Sequence, residues 1–236
     1  MTSPKRFYTD VAVEPGEGGF GLLLDGKAVR TPARAPLVIP AARLAQAVAD
    51  EWRAQGEHIE PATMPLTQHV NAGIDRIAPN REAVLDELVR YAETDQCCYR
   101  ADEPELLIAR QAQVWDPLLG WAHGAHGLEF AVTSGIMPAA QPAETIARAR
   151  AALEPMDPCA LSALHTVTAI SGSLVMGLAA RDFHLDADAL FEAALVDELF
   201  QVEQWGADEE AEERRHHLKE GLGSACAVFS LLKSDA

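Results

Sequence analysis

The sequence predicts an α+β fold: a small N-terminal antiparallel sheet with one covering helix over residues 1–60, then an all-helical domain over 61–236. Three observations predict it. Between Phe20 and Thr31, two apolar runs flank Asp25-Gly26, and Gly26 supplies the positive φ that a two-residue hairpin turn needs. From Ala41 to Gln55, the residues Leu44, Val48 and Trp52, with Ala45 and Ala49, form one helical face. After Pro61 the apolar spacing is helical to the end of the chain.

Each element follows in order. Arg6 to Val13 alternates weakly and is expected as a strand, with Glu14 to Gly19 as a loop. Phe20–Leu24 and Lys27–Thr31 form the hairpin, and Leu37-Val38-Ile39 a fourth short strand closed by Pro40. The Ala41–Gln55 helix covers the sheet and ends near Gly56. Trp52 is expected to close that layer as a structural residue. Pro65 opens a helix through Asn71 to Ile77. Asn80 is placed to cap Arg81 to Glu93. Pro104 opens a helix through Gln111 and Trp115, which Asp116-Pro117 kinks or restarts and Gly124 to Gly127 breaks. Leu128 to Val132 is a brief extended piece. Pro142–Leu153, Pro158–Ala180, Ala187–Trp205 and Asp208–Leu232 complete about eight helices after residue 60.

The Ala187–Trp205 segment is expected as one helix whose main stripe is Phe191, Leu195, Leu199, Val202 and Gly206, with Val196 and Phe200 as a second line. Glu198 lies on the border of the stripe. Residue chemistry assigns it a salt bridge to a neighbouring helix; the sharper alternative is a contact for another protein.

Composition narrows the classes. The net charge is −17, from 19 Lys and Arg against 36 Asp and Glu. That disfavours nucleic acids and anionic membranes and suits a basic partner. The four cysteines, Cys97, Cys98, Cys159 and Cys226, form no Cys-x-x-Cys pair and are expected as buried or half-buried thiols of a reducing compartment. Cys159 to Ala180 carries no charged residue, yet its serines, threonines, His165 and glycines suit a buried bundle helix better than a span of ~20 strongly apolar residues. Ser171-Gly172-Ser173 is expected to lie inside that helix as packing, with Gly172 and Gly177 allowing close approach. Met1 to Asp10 shows no signal region or Arg-rich presequence.

Catalytic patterns are weak. Glu213 and His216 have Glu-x-x-His spacing, but di-metal bundles need two copies and further glutamates. His123 and His126 lack a third ligand nearby in sequence. No phosphate loop, nucleophile elbow or His-Glu-x-x-His is present. The enzyme alternative is a metal-dependent helical protein using Glu213, His216, Glu198 and His123; another is an acidic structural subunit. No cofactor or metal is expected. Core packing is the first expectation for each tryptophan, although an exposed one would anchor a protein partner.

Several clusters together resemble a known family. They are Arg6-Phe7-Tyr8; Leu24-Asp25-Gly26-Lys27 with Arg30-Thr31-Pro32; Glu51-Trp52 with Gln55; Met64-Pro65-Leu66-Thr67 with Asn71 and Asp75; Tyr91 with Thr94-Asp95 and Tyr99-Arg100; Gln111 with Trp115-Asp116-Pro117 and Trp121; Gly135 with Gln141; and Phe200-Gln201 with Trp205-Gly206. In this order they are similar to the assembly chaperones for the α subunit of the F1 sector of ATP synthase, over about Arg6 to Gly206. The resemblance implies a non-enzymatic protein that binds the unassembled α subunit and prevents its aggregation until the β subunit replaces it; a monomer is expected because an exchangeable chaperone gains little by occupying its own binding face. It implies partner contacts at Glu198, Gln201, Trp205 and Asp75 and a structural role for Trp52; residue chemistry gives structural roles to Trp115, as core, and to Gly26, in the hairpin turn. Without a presequence, the expected location is the bacterial cytoplasm rather than the mitochondrial matrix. Gln96, Cys97 and Cys98 stand where the resemblance implies more apolar residues.

Overall fold

The computed structural model describes residues 4–135, 139–206 and 208–233; Met1 to Ser3, within the stretch searched for a presequence, lie outside it. Residues 1–81, 157–163 and 227–236 make one compact unit, and 82–156 with 164–226 a second. The sequence places the change of character at 60/61, where periodicity switches. The contacts group residues 61–81 with the sheet instead.

In the first unit, β1 (Val11–Gly16), β2 (Gly19–Leu24) and β3 (Lys27–Ala28) form an antiparallel sheet in that order. β1 reaches further than the alternation suggests, because Glu17-Gly18 alone makes the turn and Gly16 pairs with Gly19. Asp25 (φ 47°) and Gly26 (φ 75°) are both left-handed, as the second turn requires. Asp25 Oδ1 accepts from the amides of Thr9 (3.1 Å) and Asp10 (2.8 Å), and these bonds hold its carboxyl below the usual range. The expected fourth strand is only a bridge: Phe20 and Ile39 exchange two 2.8 Å bonds, and Pro36 and Pro40, which have no N–H, bracket the segment. Gly19 is required there, since a Cβ would stand 2.3 Å from the Ile39 carbonyl.

α1 (Ala42–Arg53) buries Leu44, Ala45, Val48 and Ala49 in one core with Val11, Leu22 and Leu24 of the sheet. Trp52 packs beside that core, half-buried, with Tyr8 at 5.7 Å between ring centres. α2 (Pro65–Ala72) has no side-chain cap of its own. Glu51 of α1 caps it instead, accepting from the Leu66 amide (2.7 Å), the Thr67 amide (2.8 Å) and the Thr67 hydroxyl (2.6 Å). Burial nevertheless pushes the Glu51 carboxyl up. Gly73–Ile77 continues α2 as a π-turn. Gly73 lies against Pro158 and Cys159, where a Cβ would meet backbone at 3.0–3.1 Å.

In the second unit, α3 (Arg81–Glu93) is followed by β4 (Tyr99–Arg100), α4 (Glu105–His126), β5 (Thr133–Ser134) and α5 (Ala143–Leu153). β4 and β5 pair in parallel, a small ladder within the helical part. α4 runs unbroken through Pro117 and ends where Gly127 turns left-handed at φ 66°. α4 packs against α5 and against two later helices, α7 (Leu174–Arg181) and α9 (Val196–Trp205).

Two expected helices are each divided. The uncharged segment forms α6 (Pro158–Ser171) and α7, separated by Gly172 at φ 64°. Ser171-Gly172-Ser173 is therefore a break and not mid-helix packing. Ser173 caps α7 through the Met176 amide (3.0 Å), and Asp95 accepts from the Val175 amide (3.0 Å). Gly177 does allow a close approach: a Cβ would stand 2.8 Å from Thr168 Oγ1. Likewise α8 (Ala187–Ala194) stops at Leu195 before α9 begins. The carbonyls a continuous helix would use are taken elsewhere, Ala193 O by Trp115 Nε1 (2.9 Å) and Ala194 O by Gln96 Nε2 (3.3 Å). α10 (Glu209–Leu232) completes the chain as described. Among the described residues no helix is long and apolar enough to cross a membrane.

Candidate functional site

The break at Leu195 resets the helical phase of α9. The deeper line is Val196 and Phe200, both buried, whereas Leu199 and Val202 are half-buried and Gly206 lies beyond the helix, exposed at φ 89°. The second apolar line of the sequence is thus the inward one. On that side Arg110 of α4 stacks over Phe200 (5.5 Å to the ring centre) and forks onto Glu203 with bonds of 2.8 and 2.7 Å. Asp197 accepts from Gln111 Nε2 at 2.7 Å, and Gln111 Oε1 accepts from the Ala101 amide.

The remaining face of α9 carries Glu198, Gln201 and Trp205, spaced three and four residues apart and so on one side. Glu198 makes the salt bridge that residue chemistry assigns it, to Arg214 at 2.8 Å and Arg215 at 3.2 Å, both on α10. Arg215 is only 8% exposed, so the carboxylate compensates a largely buried guanidinium. Gln201 is exposed, and Trp205 is exposed to 78%, the reverse of core packing. The acidic first turn of α10, with Glu209, Glu210 and Glu212, begins close behind in sequence and suits the positive end of the helix dipole.

The fourth candidate contact, Asp75, belongs to the other compact unit. Its Oδ1 accepts from the Thr31 hydroxyl (2.6 Å) and its Oδ2 from the Ala33 amide (3.0 Å). The carboxylate therefore fastens the Thr31–Ala35 turn. Trp115 is fully buried; Trp52 Nε1 is shielded from water without an acceptor among the described residues. Glu51, Gln55, Asp95 and Gln111 were legible only as parts of clusters, yet they are the hydrogen-bonding clasps of their units.

The residues of the enzyme alternative are not brought together. Glu213 and His216 are both exposed, and His216 pairs with Glu220 at 3.3 Å. His126 pairs with Asp182 at 2.7 Å and meets Trp121 edge-on. Among the described residues, no group of three or more His, Cys, Asp or Glu side chains could hold a metal ion. Cys97, Cys98 and Cys159 are buried and Cys226 half-buried; burial pushes the thiols of Cys98 and Cys159 up to about 12 and that of Cys226 to about 11. Inert packing is their role.

Comparison with known proteins agrees with this architecture. The family described as ATP12 chaperone protein matches residues 5–123. The crystal structure of Atp12 from Paracoccus denitrificans is 38% identical, with a TM-score of 0.93 over 98% of this chain and 99% of that one. A mutant of the Paracoccus protein with an aspartate replaced by lysine matches at 37% identity and TM-score 0.93, over 98% of each chain. A candidate chaperone from Agrobacterium tumefaciens is 45% identical, with a TM-score of 0.93 over 98% of this chain and 87% of that one. The chain belongs to the ATP12 chaperone family.

Proposed function

We propose that this protein is a non-enzymatic chaperone in the assembly of the F1 sector of ATP synthase. It binds the unassembled α subunit and keeps it from aggregating until the β subunit takes its place. The family match over residues 5–123, with likeness to Atp12 from Paracoccus denitrificans over 98% of the chain, supports the reading. The physical logic is that a subunit interface without its partner is an exposed apolar patch, which aggregates unless covered. The covering surface must be held weakly enough to be exchanged.

The α9 face of Glu198, Gln201 and Trp205 is the proposed contact. Trp205 is the observation that supports it, because a tryptophan 78% exposed leaves a large apolar area in water that a partner would remove. Glu198 contributes by fixing α9 to α10 through Arg214 and Arg215. Asp75 contributes through the turn it fastens.

The test is a pull-down from extract of the native host, read by mass spectrometry, with wild type, Trp205→Ala and Glu198→Lys. Wild type is expected to recover the ATP synthase α subunit and Trp205→Ala to lose most of it. Glu198→Lys sets a cation against Arg214 and Arg215, so its loss counts only if its melting temperature is kept. Recovery by all three would move the contact elsewhere; its absence with wild type would overturn the function.

A further inference from the structure

The chain has almost two acidic residues for each basic one, and many of its arginines are ion-paired: Arg110 with Glu203, Arg150 with Asp86 and Glu82, Arg215 with Glu198. Three exposed arginines of the first unit depart from this. Among the described residues Arg30, Arg34 and Arg76 form no ion pair; Arg30 and Arg34 lie on one turn, and Arg76 follows Asp75, whose carboxylate binds that turn.

That turn is held rigidly. Arg30 Nη1 donates to Arg34 O (2.9 Å), the Arg34 amide to Thr31 O (2.8 Å), and Thr31 and Ala35 close the loop through a 3.0 Å backbone bond. Asp75, the carboxylate beside Arg76 in sequence, turns both oxygens onto Thr31 and Ala33, so its hydrogen bonds stabilise the turn instead of an arginine. Arg34 sits at φ 68°, a conformation non-glycine residues rarely adopt, and its side chain is left exposed. Arg30 also lines a groove of about 230 Å³ on the sheet, with Leu23, Val29, Val38, Glu14 and Glu17 among its other lining residues.

We infer that the Arg30–Arg34–Arg76 turn, with this groove, docks a client segment that has an apolar side chain followed by carboxylates. The segment is acidic only on the arginine side, since Glu14 and Glu17 repel a second acidic end. The inference rests on the reading of this protein as a chaperone whose ligand is a polypeptide. Nucleic acid is disfavoured by the net charge of −17, which repels a long polyanion where a short acidic segment still meets the arginines.

The probe is a short fluorescent peptide with leucines at one end and glutamates at the other, followed by anisotropy. Wild type is expected to bind it saturably and less tightly as salt rises. Arg34→Glu/Arg76→Glu is expected to bind at least tenfold more weakly, and Arg34→Lys/Arg76→Lys to keep most of the affinity. Glutamate at 34 meets the same backbone conformation as arginine, so an unchanged melting temperature is expected and is the check on folding. The proposal is overturned if the folded charge-reversed variant binds equally, if a lysine version of the peptide binds as well, or if an oligonucleotide of equal charge binds more tightly. These outcomes do not depend on the α subunit: capture of that subunit without peptide binding sinks this inference alone, and peptide binding without capture sinks the proposed client alone.

Discussion

At the scale of single residues, two tryptophans of similar appearance in the sequence have opposite local chemistry. Trp115 is fully buried and its Nε1 donates to Ala193 O. Trp115→Phe leaves that carbonyl unpaired and a void behind, and is expected to lower stability by about 2–3 kcal/mol in denaturant unfolding. Trp52 Nε1 has no acceptor among the described residues, so Trp52→Phe removes an unmet donor and is expected to cost under ~1 kcal/mol. If both substitutions cost the same, the hydrogen-bond assignment is wrong. The sequence could place Trp52 on the inward face of its helix, and it could suggest Trp115 as core. It could not reveal that Trp205 is exposed, because the expected stripe from Phe191 to Gly206 loses phase at Leu195.

At the scale of elements, the Asp-Gly turn, the covering helix and the Arg81–Glu93 helix were legible because local chemistry decides them. The two helix breaks were not, because long-range bonds decide them. One segment makes both: Gln96 donates its amide to Gly172 O (3.0 Å) and its side chain to Ala194 O, while Asp95 caps α7. The polar Gln96, which looked out of place among apolar neighbours, is thus a latch, and Cys97 and Cys98 beside it are fully buried. The same logic joins the Glu51-Trp52 and Met64-Pro65-Leu66-Thr67 clusters. Glu51→Ala removes the cap of α2 and is expected to destabilise by about 1–2 kcal/mol, with the loss showing as faster amide exchange at Leu66 and Thr67. Unchanged exchange at those two amides would mean that the cap does not stabilise α2.

At the scale of the whole molecule, acid should weaken the fold through His69. Burial holds its imidazole at about 4, below the ~6.5 of an unfolded chain. As pH falls the unfolded chain takes up the proton first. The neutral His69 therefore stabilises fully above ~6.5, and that stabilisation is lost between ~6.5 and about 4, at most ~3 kcal/mol. Glu51 and Asp95, both pushed up by burial, act in the opposite direction, so the comparison is wild type against His69→Gln. The variant is expected to lose less stability across that window; parallel curves would contradict the assignment.

The central claim, that the protein shields an unassembled subunit, is tested most directly by light scattering. Purified ATP synthase α subunit is diluted from denaturant with wild type, with Trp205→Ala, or alone, and purified β subunit is added afterwards. The account predicts that equimolar wild type suppresses the scattering, that Trp205→Ala suppresses it much less, and that β displaces wild type into an α–β complex without renewed aggregation. Scattering by the α subunit unchanged in the presence of folded wild type would contradict it.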